Sequence, residues 1–276
     1  MPGVAALELS VVVPALNERE NLAPLVRQVV AALTGVARFE LIVVDDGSTD
    51  GSTQELLRLM QQEARLRALS HARRAGQSAA VVSGVRAARA PLVATLDGDL
   101  QNDPVDLVRL YAAWLADPRR EAVGLVAGQR RQRRDRLSKR LSSRIANKVR
   151  RAMLQDETAD SGCGLKLFPR ELFLTWPVFA GLHRFLPALA KSSGKRVLLV
   201  PVGHRPRSAG TTKYGIWNRL WVGIGDLLAL WWLLRRRRDP GTAREFTLPA
   251  SSETCRPTDS GLAEPHPLPE PQMSDR

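Results

Sequence analysis

Phe39-Glu40-Leu41-Ile42-Val43-Val44-Asp45-Asp46-Gly47-Ser48-Thr49-Asp50-Gly51 is an apolar run that stops on two carboxylates and a turn. It shows no polar alternation, so the spacing predicts a strand covered on both faces. The same pattern recurs on either side. Leu9 to Pro14 is a β-branched run that gives way to Asn17-Glu18, and Pro91 to Leu96 ends in Asp97-Gly98-Asp99. Between them lie helical spacings at Asn17–Leu33, at Thr53–Glu63 with Ser52 as N-cap, and at Gln77–Ala88, with a short strand at Arg67–Ser70. Continuous apolar strands alternating with helices predict an α/β fold, a mostly parallel sheet with helices on both faces.

In open α/β sheets ligands bind at the carboxyl ends of the strands. One Asp-Gly pair is an ordinary turn. Polar residues closing three strands, at Asn17, Asp45, Asp46, Asp97 and Asp99, point instead to one cleft. A carboxylate at a strand end can accept hydrogen bonds from the N–H groups of a nucleobase, and the glycine and serine behind it let the chain turn sharply. Neither GxGxxG nor GxxxxGK[ST] occurs, which argues against dinucleotide and P-loop binding. Asp97 and Asp99 stand at i and i+2 directly after a strand. That pair suits a hard divalent cation, Mg²⁺ or Mn²⁺, which binds through one or two carboxylates plus substrate phosphates. Such a cation neutralises a departing nucleoside diphosphate.

The 276 residues, 44% of them hydrophobic, allow one sizeable domain with appendages. Cys163 and Cys255 lack a metal-ligand spacing, which argues against a disulfide framework or a structural zinc site and favours a reducing compartment. Met1 to Leu9 has neither a basic nor a long apolar region, so no secretory signal is expected. The formal net charge of +13 calls for a polyanionic partner: nucleic acid, an anionic membrane surface or phosphate-bearing substrates. No aromatic interleaving or RNA module accompanies the arginines, which argues against nucleic acid. Residues 129–155 read as a basic helical stretch, with Leu137, Leu141, Ile145, Val149 and Met153 at helical spacing. Leu165–Phe168 and Val197–Val202 are short apolar segments. Cys163 reads as packing in a tight turn, Lys166 as a structural partner for a carboxylate, and His183 as a core, capping or site residue.

Trp217, Leu220, Trp221, Ile224, Leu227, Leu228 and Trp231 share one helical face. The apolar run is shorter than the roughly 20 residues a bilayer span needs. An amphipathic membrane-surface helix fits better, and a helix packed on the protein's own core is the alternative. The organisation expected is therefore a catalytic domain over 1–215, this helix with its basic end over 216–238, and a disordered Pro-, Ser- and Thr-rich tail over 239–276.

Together these motifs resemble glycosyltransferase family 2, and Asp97-Gly98-Asp99-Leu100-Gln101-Asn102-Asp103-Pro104 resembles its dolichol-phosphate mannosyltransferase-like branch. The resemblance runs from about Leu9 to Leu234 through Gly128-Gln129-Arg130, Ser143-Arg144-Ile145-Ala146-Asn147, Asp160-Ser161-Gly162-Cys163-Gly164-Leu165-Lys166, His183-Arg184-Phe185-Leu186-Pro187 and Arg207 to Gly215. It implies a GT-A (Rossmann-like) fold and metal-dependent, inverting transfer of a sugar from a nucleotide-sugar, GDP-mannose or a UDP-hexose, to a polyprenyl phosphate. The enzyme would sit at the cytoplasmic face of the membrane as a peripheral or monotopic protein. Pro14, Asn17 and Glu18 would line the nucleoside pocket, with Asp45 or Asp46 on the base. Asp97 would lie near the sugar diphosphate, and Asp99 with Gln101, and Asp97 beside them, would hold the metal. Arg130 would meet the donor phosphate and Arg144 the acceptor phosphate, while Arg207 and Lys213 would close over the phosphates. Asp97 or Asp160 would assist as a base. Leu16 stands where an aromatic residue often packs on the base, and Gly98 where alanine is common. A saccharide or diacylglycerol acceptor, or a non-catalytic membrane-surface binding protein of the same fold, are the competing readings.

Overall fold

A computed structural model describes residues 6–130, 158, 160–203, 205 and 216–236, with backbone alone for 216–224. These lie in one unit, Met1–Arg237; a second, Arg238–Arg276, falls outside the described residues, as does the expected disordered tail. The strands are β1 (Leu9–Ala15), β2 (Phe39–Asp45), β3 (Leu66–Ser70), β4 (Leu92–Thr95), β5 (Val123–Arg130), β6 (Lys166–Pro169) and β7 (Arg196–Val202). The helices are α1 (Arg19–Leu33), α2 (Ser52–Met60), α3 (Gln77–Ala87), α4 (Val105–Ala116), α5 (Arg170–Leu174), α6 (Leu182–Ser192) and α7 (Ile216–Arg236).

One seven-stranded sheet runs β3-β2-β1-β4-β6-β5-β7. β1 pairs parallel with β2 and β4, β2 with β3, and β5 with β7; β6 alone is antiparallel, to both β4 and β5. The mostly parallel α/β sheet is as expected, and the strands through Thr95 lie where the apolar runs placed them. Both faces are covered. Leu9, Val11, Val13 and Leu41 pack under α1, α2 and α4, while Val12, Ile42, Val44 and Phe168 pack under α3, α5 and α6. Burial on both faces is why these strands carry no polar alternation. Pro14, which has no N–H, sits where β1 has outrun β4 and pairs only with β2.

Three expectations are corrected or refined. The basic helical reading began too early: Gln129 and Arg130 close β5, whose run Val123-Gly124-Leu125-Val126-Ala127-Gly128 is buried between helices. The remainder of that stretch, 131–155, lies outside the described residues. Ser52 is not the N-cap of α2. Gly51 caps it at φ 92°, and Ser52 Oγ instead donates to Asp50 at 2.6 Å and accepts the Glu18 N–H at 3.2 Å. In α7, Leu230 is 2% exposed, and Leu227, Trp231 and Leu234 pack on the core, whereas Leu228 and Trp232 are 51% and 54% exposed. The second half of the helix therefore has a core face and an open face, and no helix among the described residues is long and apolar enough to cross a membrane.

At the amino end of β2, opposite the polar strand ends, Glu40 is 4% exposed. It accepts hydrogen bonds from Ser10 Oγ (2.7 Å), Arg67 Nη1 (2.6 Å) and the Arg89 N–H (2.7 Å). Burial works against its charge, but these donors outweigh it and hold the carboxyl below its ordinary 4.5. A lowered carboxyl contributes stability that is complete above its unfolded value and is lost as pH falls through the folded one. We expect Glu40→Gln to destabilise the fold by about 2 kcal/mol at pH 7. The gap should close as pH drops below 4.5, which denaturant unfolding at pH 7 and pH 3.5 will check.

Candidate active site

The carboxyl ends of β1, β2 and β4 lie side by side, with Val12 between Ile42 and Thr95. The loops that leave them are sewn together. The Asn17 N–H donates to Ser48 Oγ at 2.8 Å, and Asn17 Oδ1 accepts the Thr49 N–H at 2.8 Å, with Asn17 held at φ 54°. Asparagine tolerates that left-handed conformation better than most residues. Glu18 Oε2 accepts from Asn21 Nδ2 at 2.6 Å, and the Arg19 N–H donates to Asp50 at 3.1 Å.

Asp45 and Asp46 are 1% and 4% exposed, and each is engaged by the chain itself. Asp45 accepts the Ser48 N–H at 2.9 Å and Thr53 Oγ1 at 2.5 Å. Asp46 accepts the N–H groups of Ala75 (2.8 Å) and Gly76 (2.7 Å) and His71 Nδ1–H (2.8 Å). With Nδ1 donating, His71 Nε2 accepts from Ser83 Oγ at 2.9 Å. Asp46 thereby fixes the β3–α3 loop, whose next residue, Gln77, donates through Nε2 to Asp97 Oδ1 at 3.0 Å.

Asp97 follows β4 and is also met by Asn102 Nδ2 at 3.1 Å. A Cβ at Gly164 would fall on its carboxylate, so a larger residue there would have to displace Asp97. Burial, and next the negative charge of Asp99, push the Asp97 carboxyl up; Lys166, Asn102 and Arg130 oppose them. Asp99 Oδ1 accepts the Gln101 N–H at 3.2 Å across a turn in which Leu100 takes φ 60°. A bulky residue in that region costs about 1–3 kcal/mol, strain that tends to collect at functional sites. Two carboxylates close enough for one to raise the other carry the charge that a divalent cation relieves, so Asp97 and Asp99 fit Mg²⁺ or Mn²⁺. Among the described residues no group of three or more His, Cys, Asp or Glu converges on one point.

Behind the pair is a buried charged cluster. Arg130 Nε and Nη2 donate to the two oxygens of Asp160 at 2.5 and 2.7 Å, with side chains 15% and 10% exposed. Hydrogen bonding to Asp160 raises the Arg130 guanidinium, keeping it charged. Lys166, 3% exposed, donates Nζ to the carbonyls of Cys163 and, at 3.3 Å, Ser161. Burial pulls its ammonium down, and burial likewise pushes the Cys163 thiol up, which suits a packing residue rather than a nucleophile. His183, pushed down to about 3 by burial, is neutral, with Ser78 Oγ hydrogen-bonded to its Nδ1 at 2.8 Å. Among the described residues Gln129 Nε2 is buried with no hydrogen-bond partner.

The structure thus brings together Pro14, Asn17, Glu18, Asp45, Asp46, Asp97, Asp99, Gln101, Arg130 and Asp160 at one end of the sheet. Arg144, Arg207 and Lys213 lie outside the described residues. The sequence reading missed Gln77, Asn102 and Arg205 as site residues. Asn102 stood inside the quoted motif, and Gln77 sat at a helix start with no signal beyond its polarity. Arg205 donates its N–H to Gln101 O at 2.8 Å and its guanidinium to Asp103 and Gln28, which ties it to the Asp99–Asp103 turn.

The Glycosyl transferase family 2 model matches residues 10–175. The chain is 36% identical over 243 residues to the dodecaprenyl-phosphate galacturonate synthase of Rhizobium johnstonii, covering 86% of this chain and 70% of that protein. It is 34% identical over 211 residues to the undecaprenyl-phosphate 4-deoxy-4-formamido-L-arabinose transferase of Aeromonas hydrophila, covering 75% of this chain and 63% of that one. In structure it is similar to glucosyl-3-phosphoglycerate synthase from Mycobacterium tuberculosis in complex with Mg²⁺ and uridine-diphosphate (TM-score 0.62, 21% identity, 86% of this chain, 82% of that one). A mannosyltransferase from Pyrobaculum calidifontis in complex with GDP-Man and Mn²⁺ is also similar (TM-score 0.58, 22% identity, 86% of this chain, 67% of that one). These two likenesses show a shared, GT-A-like fold.

Burial ranks the ion pairs. Arg130→Ala strands Asp160 in the interior and should cost about 3–4 kcal/mol. Arg58→Ala, at the exposed pair with Glu55 on α2, should leave stability nearly unchanged. Parallel denaturant melts of the two variants check the ranking.

Proposed function

Since the chain belongs to glycosyltransferase family 2, we propose that it transfers a sugar from a nucleotide-sugar to a polyprenyl phosphate, inverting the anomeric carbon. The observation that carries the reading is the Asp97–Asp99 pair after β4, set at the closed end of the sheet with Gln77 and Asn102 on Asp97. The similarity to two polyprenyl-phosphate sugar transferases supports the acceptor.

The roles follow from position and charge. Pro14, Asn17 and Glu18 form the mouth nearest the nucleoside. Asp45 and Asp46 act there by holding the loops in place, because their oxygens already serve Ser48, Thr53, His71, Ala75 and Gly76. Asp99 with Gln101, and Asp97 beside them, would hold Mg²⁺ or Mn²⁺. When bound, the cation neutralises the leaving nucleoside diphosphate. The acceptor phosphate is ionised at neutral pH, so one of its oxygens attacks the anomeric carbon in line while the bond to the diphosphate breaks, and no strong base is required. Arg144 on the acceptor phosphate, and Arg207 and Lys213 on the donor phosphates, complete the reading. Arg130, through Asp160, holds the wall behind the reacting groups. GDP-mannose and a UDP-hexose are the donors to compare.

The open face of α7 supports attachment to an anionic membrane surface at the cytoplasmic side. Leu228 and Trp232 are exposed, and Arg236 stacks on the Trp232 ring at 5.0 Å as Arg235 does on Trp231 at 4.3 Å. Tryptophan beside arginine places an amphipathic ring at headgroup depth with cations facing anionic lipid.

Labelled GDP-mannose and UDP-glucose, each incubated with purified chain, undecaprenyl phosphate and Mn²⁺, test the reaction. We expect label in the organic phase from one donor, lost with EDTA and reduced at least about 100-fold by Asp99→Asn. Donor hydrolysis that depends on Asp99, with no lipid label, would sink the polyprenyl-phosphate acceptor. For the membrane, Leu228→Ser with Trp232→Ser should cut co-sedimentation with phosphatidylglycerol vesicles several-fold at unchanged thermal midpoint. Undiminished binding would remove α7 from the contact.

A further inference from the structure

We propose that the hollow between the start of α3 and the Val178–His183 loop receives the isoprenyl chain of the acceptor next to its phosphate, an assignment that rests on the polyprenyl-phosphate reading above. The hollow measures about 230 Å³. Pockets that enclose a drug-sized ligand run to roughly 300–1,000 Å³, so this one takes the beginning of a long chain rather than the whole.

Its walls are apolar: Ala75 and Ala79 on one side, Val178, Phe179 and Ala180 on the other. Val178 is 57% exposed, a large side chain left open beside the cavity. The polar groups in the lining are spoken for. Ser78 is bonded to His183, and burial keeps that imidazole neutral. A sugar placed here would leave its hydroxyls short of partners, whereas a hydrocarbon loses nothing and gains burial.

Position gives the direction of the chain. Gln77 lines the hollow and also donates to Asp97, so one end opens at the carboxylate pair. Gly181 forms the other end, where an added Cβ would lie 3.0 Å from Asp226 of α7. Phe179 stacks near Phe185 at 6.0 Å and packs in the same cluster as Leu227 and Trp231 of α7. The hollow therefore runs from the reaction centre to the helix whose open face carries Leu228 and Trp232. An acceptor whose phosphate reaches the anomeric carbon beside the carboxylate pair sends its first isoprene units along this path towards the bilayer.

Farnesyl phosphate is the probe, with Ala180→Trp to fill the hollow and Val178→Asp to charge it. Both positions are exposed and neither is assigned to donor or metal, and thermal midpoints check folding. Two readouts are taken on the full chain: calorimetric binding of farnesyl phosphate, and KM for it in the transfer assay beside KM for the donor. The expected result is binding and acceptor KM weakened at least tenfold in both variants, with donor KM unchanged. Wild-type affinity in both variants, or no binding to the wild-type chain, overturns the subsite. Farnesyl phosphate that binds through the hollow but receives no sugar keeps the subsite and overturns the transfer reading. Transfer unimpaired in both variants does the reverse.

Discussion

A carboxylate buried at the end of a parallel strand must find donors, and the search for donors organises this protein. Asp46 is nearly sealed from solvent and takes three hydrogen bonds from the loop between β3 and α3. Left unpaired, such a charge costs several kcal/mol, so the loop has little freedom to be elsewhere. The backbone of Arg73 and Arg74 consequently passes so close over Gly47 that an added Cβ would meet it at 2.8 Å. Gly47 also sits at φ 77°, so both space and conformation require glycine. The outcome of this clamp is local and chemical: α3 begins where Gln77 reaches Asp97.

The second constraint comes from the reversed strand. β6 runs against both its neighbours, bringing Lys166 beside Thr95 and Ala127. Thr95 Oγ1 donates to Gly164 O at 2.6 Å and anchors the turn that leads into β6. Gly164 then lies flush against Asp97, and Lys166, Arg130 and Asp160 form the charged wall behind it. Like charges on Asp97 and Asp99 in front are balanced by buried cations behind.

α7 reconciles two readings that look exclusive in sequence. Leu227, Leu230 and Trp231 close the core over α6, so part of the helix belongs to the fold. Leu228 and Trp232 remain open on the same turns, the face proposed to meet lipid. A helix with apolar residues on more than one side can serve both ends, and only its docking decides which residues go where.

The apolar runs and the polar residues that close them determined the α/β fold, the parallel left half of the sheet and the cleft at its carboxyl edge. Those features are local: a run buried on both faces must be uniformly apolar, and a strand end must turn on Gly, Asp or Asn. Residues 9–96 were legible for that reason, and so were Asp97 and Asp99. β5 was not, because Gly124 and Gly128 weaken its pattern and the arginines that follow Gln129 look like the start of a helix. Gly128 is there because Cys163, Leu165 and Val202 press on it from other elements, a pressure that leaves no mark in the neighbouring sequence. The same is true of the jobs done by the acidic residues. In sequence Asp45, Asp46, Asp97 and Asp99 are equivalent strand-end carboxylates. Which of them hold loops and which face the cleft depends on donors supplied from residues 48 to 102, and that assignment belonged to the tertiary structure alone.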